Sequence, residues 1–175
     1  GYVDFLRGRY DRAEYWLREA LALAGDDAST RTRATAYLGT VASDRGDYPT
    51  ALRLLGEAVA QARTCGDHRR EAYAQSMVGR IGLLRGDLDA AAEHLDRAIE
   101  LAETERWLAF LPWPQALRAE VALAEGEVDG ATAAAEQAFA RACQLGDPCW
   151  EGTSARSLAL IADASGDPTA CLLYT

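Results

Sequence analysis

Alanine and leucine recur along this chain at helical spacing. Ala13, Leu17, Ala20 and Ala24 fall at i, i+4, i+7 and i+11, one face of a helix expected over residues 11–24. The same face returns as Ala51, Leu55, Ala58 and Ala62, as Ala91, Leu95, Ala98 and Ala102, and as Ala131, Ala135, Ala138 and Ala142. The segments between carry a second ladder, Val3, Val41, Ile81, Val121 and Ile161, and beside it a small-residue ladder, Gly1, Gly39, Gly79, Ala119 and Ala159. Small side chains let neighbouring helices approach closely. That contact must offset the roughly 1 kcal/mol that glycine inside a helix loses relative to alanine.

Turn residues punctuate the two ladders. In Asp44-Arg45-Gly46-Asp47-Tyr48-Pro49, Gly46 can close one helix in the left-handed conformation and Asp47 can cap the next, with Pro49 in the first turn where a missing donor costs least. Related turns stand at Gly8, Gly86, Gly126 and Gly166, so that the later glycines step by 40 residues and the opening interval is two shorter. A second series, Gly25-Asp26, Gly66-Asp67 and Gly146-Asp147, marks the joins between hairpins, each expected to stop one helix and cap the next. Its member near Arg106 is missing. Trp107-Leu108-Ala109-Phe110-Leu111-Pro112-Trp113-Pro114 runs there instead, and the two prolines are expected to push their predecessors out of α geometry and delay the next helix to about residue 112.

This pattern predicts an all-α fold, a right-handed superhelical solenoid of antiparallel helix hairpins with about 40 residues per repeat. Residues 1–175 are expected to form one array, with residues 1–7 as the tail of a helix and the last repeat breaking off at Thr175, so that both ends fall inside a repeat.

With 49% hydrophobic residues the chain can bury a core, and 26% charged residues is ordinary for a soluble protein. All 18 basic residues are arginine, so neither a Walker A motif nor a Schiff-base lysine is present. A net charge of −9 argues against direct nucleic-acid binding. No apolar run reaches membrane length and no secretion leader is seen, so a cytoplasmic location without membrane contact is expected. Cys65, Cys143, Cys149 and Cys171 are scattered through the repeats and are expected to be reduced, small packing residues, although Cys143 and Cys149 flank one joint.

The spacing Leu38-Gly39, Ala42, Gly46, Tyr48, Ala51, Leu55, Ala58 resembles the tetratricopeptide repeat pattern, and it recurs as Val78-Gly79, Gly82, Gly86, Leu88, Ala91, Leu95, Ala98. Two features depart from that pattern: the period exceeds the ordinary 34 residues, and Thr35, Gln75, Gln115 and Ala155 replace an aromatic. HEAT-type repeats share the longer period. Phe110 to Glu120 and Gln144 to Gly152 are similar to the sensor regions of large bacterial, above all actinobacterial, transcription regulators of the MalT-like and AfsR-like LuxR type. That resemblance implies a module that receives a signal or contacts another domain of a regulator. The switch and DNA-binding motifs of such proteins do not occur in these residues.

No convergent catalytic constellation is legible. His68 and His94 fall on helix surfaces, the carboxylates follow caps and exposed faces, and Cys65 with His68 stands two repeats from Cys143 with Cys149, too far for a shared zinc. No enzyme activity, cofactor or metal is therefore expected. The first helix of each hairpin should line a groove, with Arg33, Tyr73 and Trp113 at one level and Ser76, Arg80, Glu120 and Arg156 deeper. Tyrosine, tryptophan and arginine are the residue types that dominate binding hot spots. The expected occupant is a protein or peptide, or another domain of the same polypeptide, with a small-molecule inducer as the alternative. The alternative reading has Trp113 plugging the irregular joint and Trp107 and Trp150 filling gaps between repeats. Pairing with a second copy through the open terminal repeats is a further expectation.

Overall fold

In the computed structural model, residues 1–167 are described, and they contain nine α-helices and no strand. Pro168 of the last turn, Cys171 and the end at Thr175 lie outside the described residues. The helices are α1 (Tyr2–Leu6), α2 (Tyr10–Leu23), α3 (Ala28–Asp44), α4 (Tyr48–Cys65), α5 (His68–Arg85), α6 (Leu88–Thr104), α7 (Pro112–Ala124), α8 (Val128–Leu145) and α9 (Pro148–Ala164). The contacts group into a first unit, Gly1–Ile81, and a second that begins at Gly82, within α5.

In the first unit α1 packs on α2, α2 on α3 and α3 on α4. Ala13 and Leu17 of α2 meet Ala34, Leu38 and Val41 of α3 in one cluster. Ala51, Leu55, Ala58 and Ala62, the face read from spacing, are fully buried on α4. Gly39 explains the small-residue ladder: a Cβ built there would lie 2.8 Å from Leu55 Cγ and 3.3 Å from the Ala51 carbonyl oxygen. The helix interior accepts glycine because the neighbouring helix occupies the methyl's place.

In the second unit α6 packs on α7, α7 on α8, α8 on α9, and α7 also on α9. Ala91 and Leu95 meet Leu117 and Val121 in one cluster, while Ala131 and Ala135 meet Ala119, Ala122, Leu158 and Ile161 in another. Both units thus use a four-residue alanine and leucine face on one helix type and a broadly buried partner helix.

The turns share one closure. Asp47, Asp67, Asp87, Trp107, Glu127, Asp147 and Asp167 each donate their backbone N–H five residues back, to Ala42, Ala62, Gly82, Ala102, Ala122, Ala142 and Ala162, at 2.8–3.3 Å. This is the Schellman motif, which demands a left-handed residue just before the donor. Gly46, Gly66, Gly86, Gly126, Gly146 and Gly166 all have φ between 63° and 87°. At the remaining such place, before Trp107, Arg106 takes φ 49°, the one non-glycine positive φ among the described residues. The missing glycine therefore did not remove the turn; an arginine was forced into it.

Two expectations at the joints are corrected. The cap after Gly25 is Asp27, not Asp26: the Asp27 carboxylate accepts the Thr30 N–H at 3.1 Å. Asp27 N–H reaches Ala24 only three residues back, so this turn lacks the Schellman closure, and Asp27, Asp67, Trp107 and Asp147 keep the 40-residue step. The two residues missing from the opening interval therefore fall between Gly8 and Asp27, where a shorter α2 is followed by a longer turn. Helix α7 does begin at Pro112, but Leu111 before it is helical, with φ −52° and ψ −39°. Turns from Phe110 N–H to Trp107 and from Trp113 N–H to Phe110 already wind the chain, and Pro112 at the first helical position gives up a donor that has no partner there anyway.

Candidate interaction site

The residues singled out in the first unit divide into surface and packing groups. Arg33 is exposed on α3, and Tyr73 on α5 is half-buried. Four residues after Arg33, Tyr37 meets Tyr73 edge to face with ring centroids 5.3 Å apart. Tyr37 also lies 4.8 Å from Tyr2 and 6.1 Å from Phe5, and Phe5 lies 6.2 Å from Tyr10. Aromatic pairs in such geometry add about 0.5–1.5 kcal/mol beyond burial.

The Tyr73 hydroxyl lies 3.1 Å from Thr40 Oγ1, and burial holds its pKa well above the usual tyrosine range. Burial also raises Tyr37, with Arg70 and Arg33 acting the other way. Arg80 donates to Asp44 Oδ1 at 2.8 Å, and Asp44 also accepts from the Tyr10 hydroxyl at 3.3 Å. Ser76 is fully enclosed and its hydroxyl donates to the Tyr73 carbonyl at 2.8 Å, so it packs the helix and does not reach a groove.

In the second unit Trp113 and Trp150 are half-buried, with ring centroids 5.6 Å apart. Glu120 Oε1 accepts from Arg156 Nη2 at 2.6 Å and from the buried Ser157 hydroxyl at 2.7 Å. Arg118 bridges Asp96 at 3.1 Å and Glu125 at 3.6 Å. At the irregular joint Trp107 stacks on Phe110 at 4.3 Å. Trp113 and Trp150 therefore form one aromatic pair while Glu120 and Arg156 form one ion pair, each within this unit.

Tyr37, Thr40 and Asp44 escaped the reading of the sequence, although they follow Arg33 at i+4, i+7 and i+11 on the same helical face. Glu71 escaped it entirely: it is buried and accepts from Arg63 Nε of the preceding helix at 2.8 Å. The pairing across the turn offsets the cost of burying a carboxylate there. Cys65, Cys143 and Cys149 are free and exposed, not packing residues as expected. Desolvation raises the Cys149 thiol above its ordinary pKa, and the Asp147 carboxylate adds to the effect. Among the described residues no group of three His, Cys, Asp or Glu side chains could hold a metal ion, and no helix is long and apolar enough to cross a membrane.

Comparison with known proteins identifies the repeat. Family models described as tetratricopeptide repeats match residues 31–104 and 112–137. The crystal structure of BtubC (BKLC) from P. vanneervenii aligns with a TM-score of 0.77 and 18% identity, over 98% of this chain and 72% of that one. The nearly identical TPR-like repeats of a kinesin light chain-like protein from Podosopora anserina align with a TM-score of 0.69 and 18% identity, over 99% of this chain and 87% of that one. A point variant of that protein gives a TM-score of 0.70 at 18% identity, over 99% of this chain and 86% of that one. No curated protein matches the chain. The chain carries tetratricopeptide repeats, and its fold is the all-α hairpin repeat of that class. Repeats of this class serve as protein-interaction scaffolds.

Proposed function

We propose that this chain is a non-catalytic protein-interaction module whose odd-numbered helices receive a segment of another protein, or of another domain of the same polypeptide. The observation that carries this reading is the face of α3 and α5 where Arg33, Tyr37 and Tyr73 stay accessible beside the Arg80–Asp44 pair. Rings and guanidinium groups held by neighbours lose little freedom when a partner covers them. Trp113 with Trp150, and Glu120 with Arg156, offer a second such surface in the second unit.

The finer reading is a sensing module of a larger bacterial transcription regulator. It rests on the resemblance of residues 110–120 and 144–152 to the sensor regions of MalT-like and AfsR-like proteins. Selection from a displayed peptide library with the whole chain tests the interaction reading. Enriched peptides should lose at least about tenfold in affinity with Arg33→Ala or Tyr37→Ala, the loss expected of hot-spot side chains. Stoichiometric binding of a small metabolite in calorimetry, with no peptide enriched, would replace the scaffold by an inducer receptor.

A further inference from the structure

Apart from the α3–α5 face, the first unit holds a cavity of about 280 Å³ bordered by α2, α3 and α4. Its floor is apolar: Leu38 and Val41 are buried, and Ala42 and Leu54 are half-buried. Its walls carry Arg18, Arg45 and Arg53 with Glu14 and Asp47. It shares no residue with the face proposed above, so the two readings stand or fall separately.

The carboxylates of this cavity are already engaged. Glu14 accepts from Arg18 Nε at 3.1 Å and Nη2 at 2.7 Å, and from Arg45 Nη1 at 2.7 Å, while Asp47 accepts the Thr50 N–H at 3.2 Å. The guanidinium groups are not used up. Arg53 gives Nη1 to Glu57 at 2.7 Å, and among the described residues its Nε and Nη2, like Arg18 Nη1, meet no acceptor. Packing does not ask for these arginines. Val41 and Ala42 of the floor return two repeats later as Val121 and Ala122, whereas Arg18, Arg45 and Arg53 have Asp96, Glu125 and Ala133 at the equivalent places.

Spare donors above an apolar floor fit an anion with an apolar body. At about 30 Å³ for each water-sized atom, the cavity holds about nine non-hydrogen atoms, too few for a helix or strand of a partner. We propose that it binds a free aliphatic monocarboxylate with a chain of about six carbons, the carboxylate on Arg18 and Arg53 and the chain on Leu38, Val41 and Leu54. The second unit, with acidic or small residues at the arginine positions, has no such site.

The probe is sodium hexanoate, titrated into the whole chain and followed by backbone amide NMR shifts. Shifts should saturate with a Kd below about 1 mM and centre on the floor residues and Thr50. Butanoate should bind about tenfold more weakly for its two missing methylenes. Hexylammonium, equal in length and opposite in charge, should bind at least about tenfold more weakly. Arg18→Ala and Arg53→Ala, both at exposed side chains, should each weaken hexanoate at least about threefold with the thermal melt unchanged. No saturation by about 10 mM, hexylammonium binding as tightly as hexanoate, or indifference to both arginine variants overturns the proposal. So does binding there of a peptide with a free C-terminal leucine while hexanoate stays unbound, which assigns the cavity to a chain terminus.

Discussion

The two units share a scaffold and differ in charge. Residues 1–81 hold 12 arginines against 11 carboxylates, a balance of +1, while residues 82–175 hold 6 against 16, a balance of −10. One position makes the difference local. Arg80 of α5 pairs with Asp44 of α3, and 40 residues later Glu120 of α7 pairs with Arg156 of α9. The buried alanine and leucine face and the Schellman turns are the same in both units. Closeness of helices is thus set by a few small residues, and the accessible positions are free to reverse sign without disturbing it.

The strongest way to break this comparison is to change a small residue. Gly39→Val places a branched side chain against Leu55 and should cost about 3 kcal/mol in urea unfolding. Its counterpart in the second unit is already alanine, and Ala119→Gly should cost about 1 kcal/mol through helix propensity. Equal effects would mean the two scaffolds are not packed alike. Gly46→Val should come next, at about 1–2 kcal/mol, because φ is 78° and not because space is short.

Charge reversal sharpens the comparison further. Arg80→Glu sets a carboxylate beside Asp44, and Glu120→Arg sets a guanidinium beside Arg156. Each should cost about 1 kcal/mol, and the double variant should be additive within about 0.5 kcal/mol because each partner is local to its unit. Arg106→Gly should raise stability by up to about 1 kcal/mol by relieving the left-handed arginine.

Acid titration gives the smallest effect. The Thr30 and Thr50 hydrogen bonds hold the Asp27 and Asp47 carboxyls below their ordinary pKa. A depressed folded pKa means the unfolded chain takes up protons first. These caps therefore stabilise fully above the ordinary carboxyl range and are lost as pH falls through the lower folded values. Thermal melts at pH 6 and pH 3 should differ less in Asp27→Asn with Asp47→Asn than in the parent.

The fold was legible because its determinants are local. A left-handed glycine, a capping aspartate and a run of i, i+4, i+7 alanines each act within a few residues, so spacing alone located the helices to within a residue or two. Asp26 was read as the cap because glycine usually precedes it directly, and the Thr30 N–H on the Asp27 carboxylate, with the backbone bond from Asp27 to Ala24, reveals the other choice. The candidate surface was only partly open to such reading. Arg33, Tyr73, Arg80, Trp113, Glu120 and Arg156 were chosen by repeat position, but Asp44, which holds Arg80, has Leu84 and Ala124 at the equivalent places and so leaves no periodic trace. Ser76 misled because a hydroxyl on a helix can turn back to its own backbone.

Around the turn glycines 46, 86 and 126 the space is open, with nothing within 4 Å of where a Cβ would stand. Each closure is held by bonds of the chain to itself. A segment running from one of these glycines to the next is therefore a self-terminated cassette, and deleting or duplicating it should rejoin like ends, changing the length of the array by whole hairpins and leaving each remaining junction as it was.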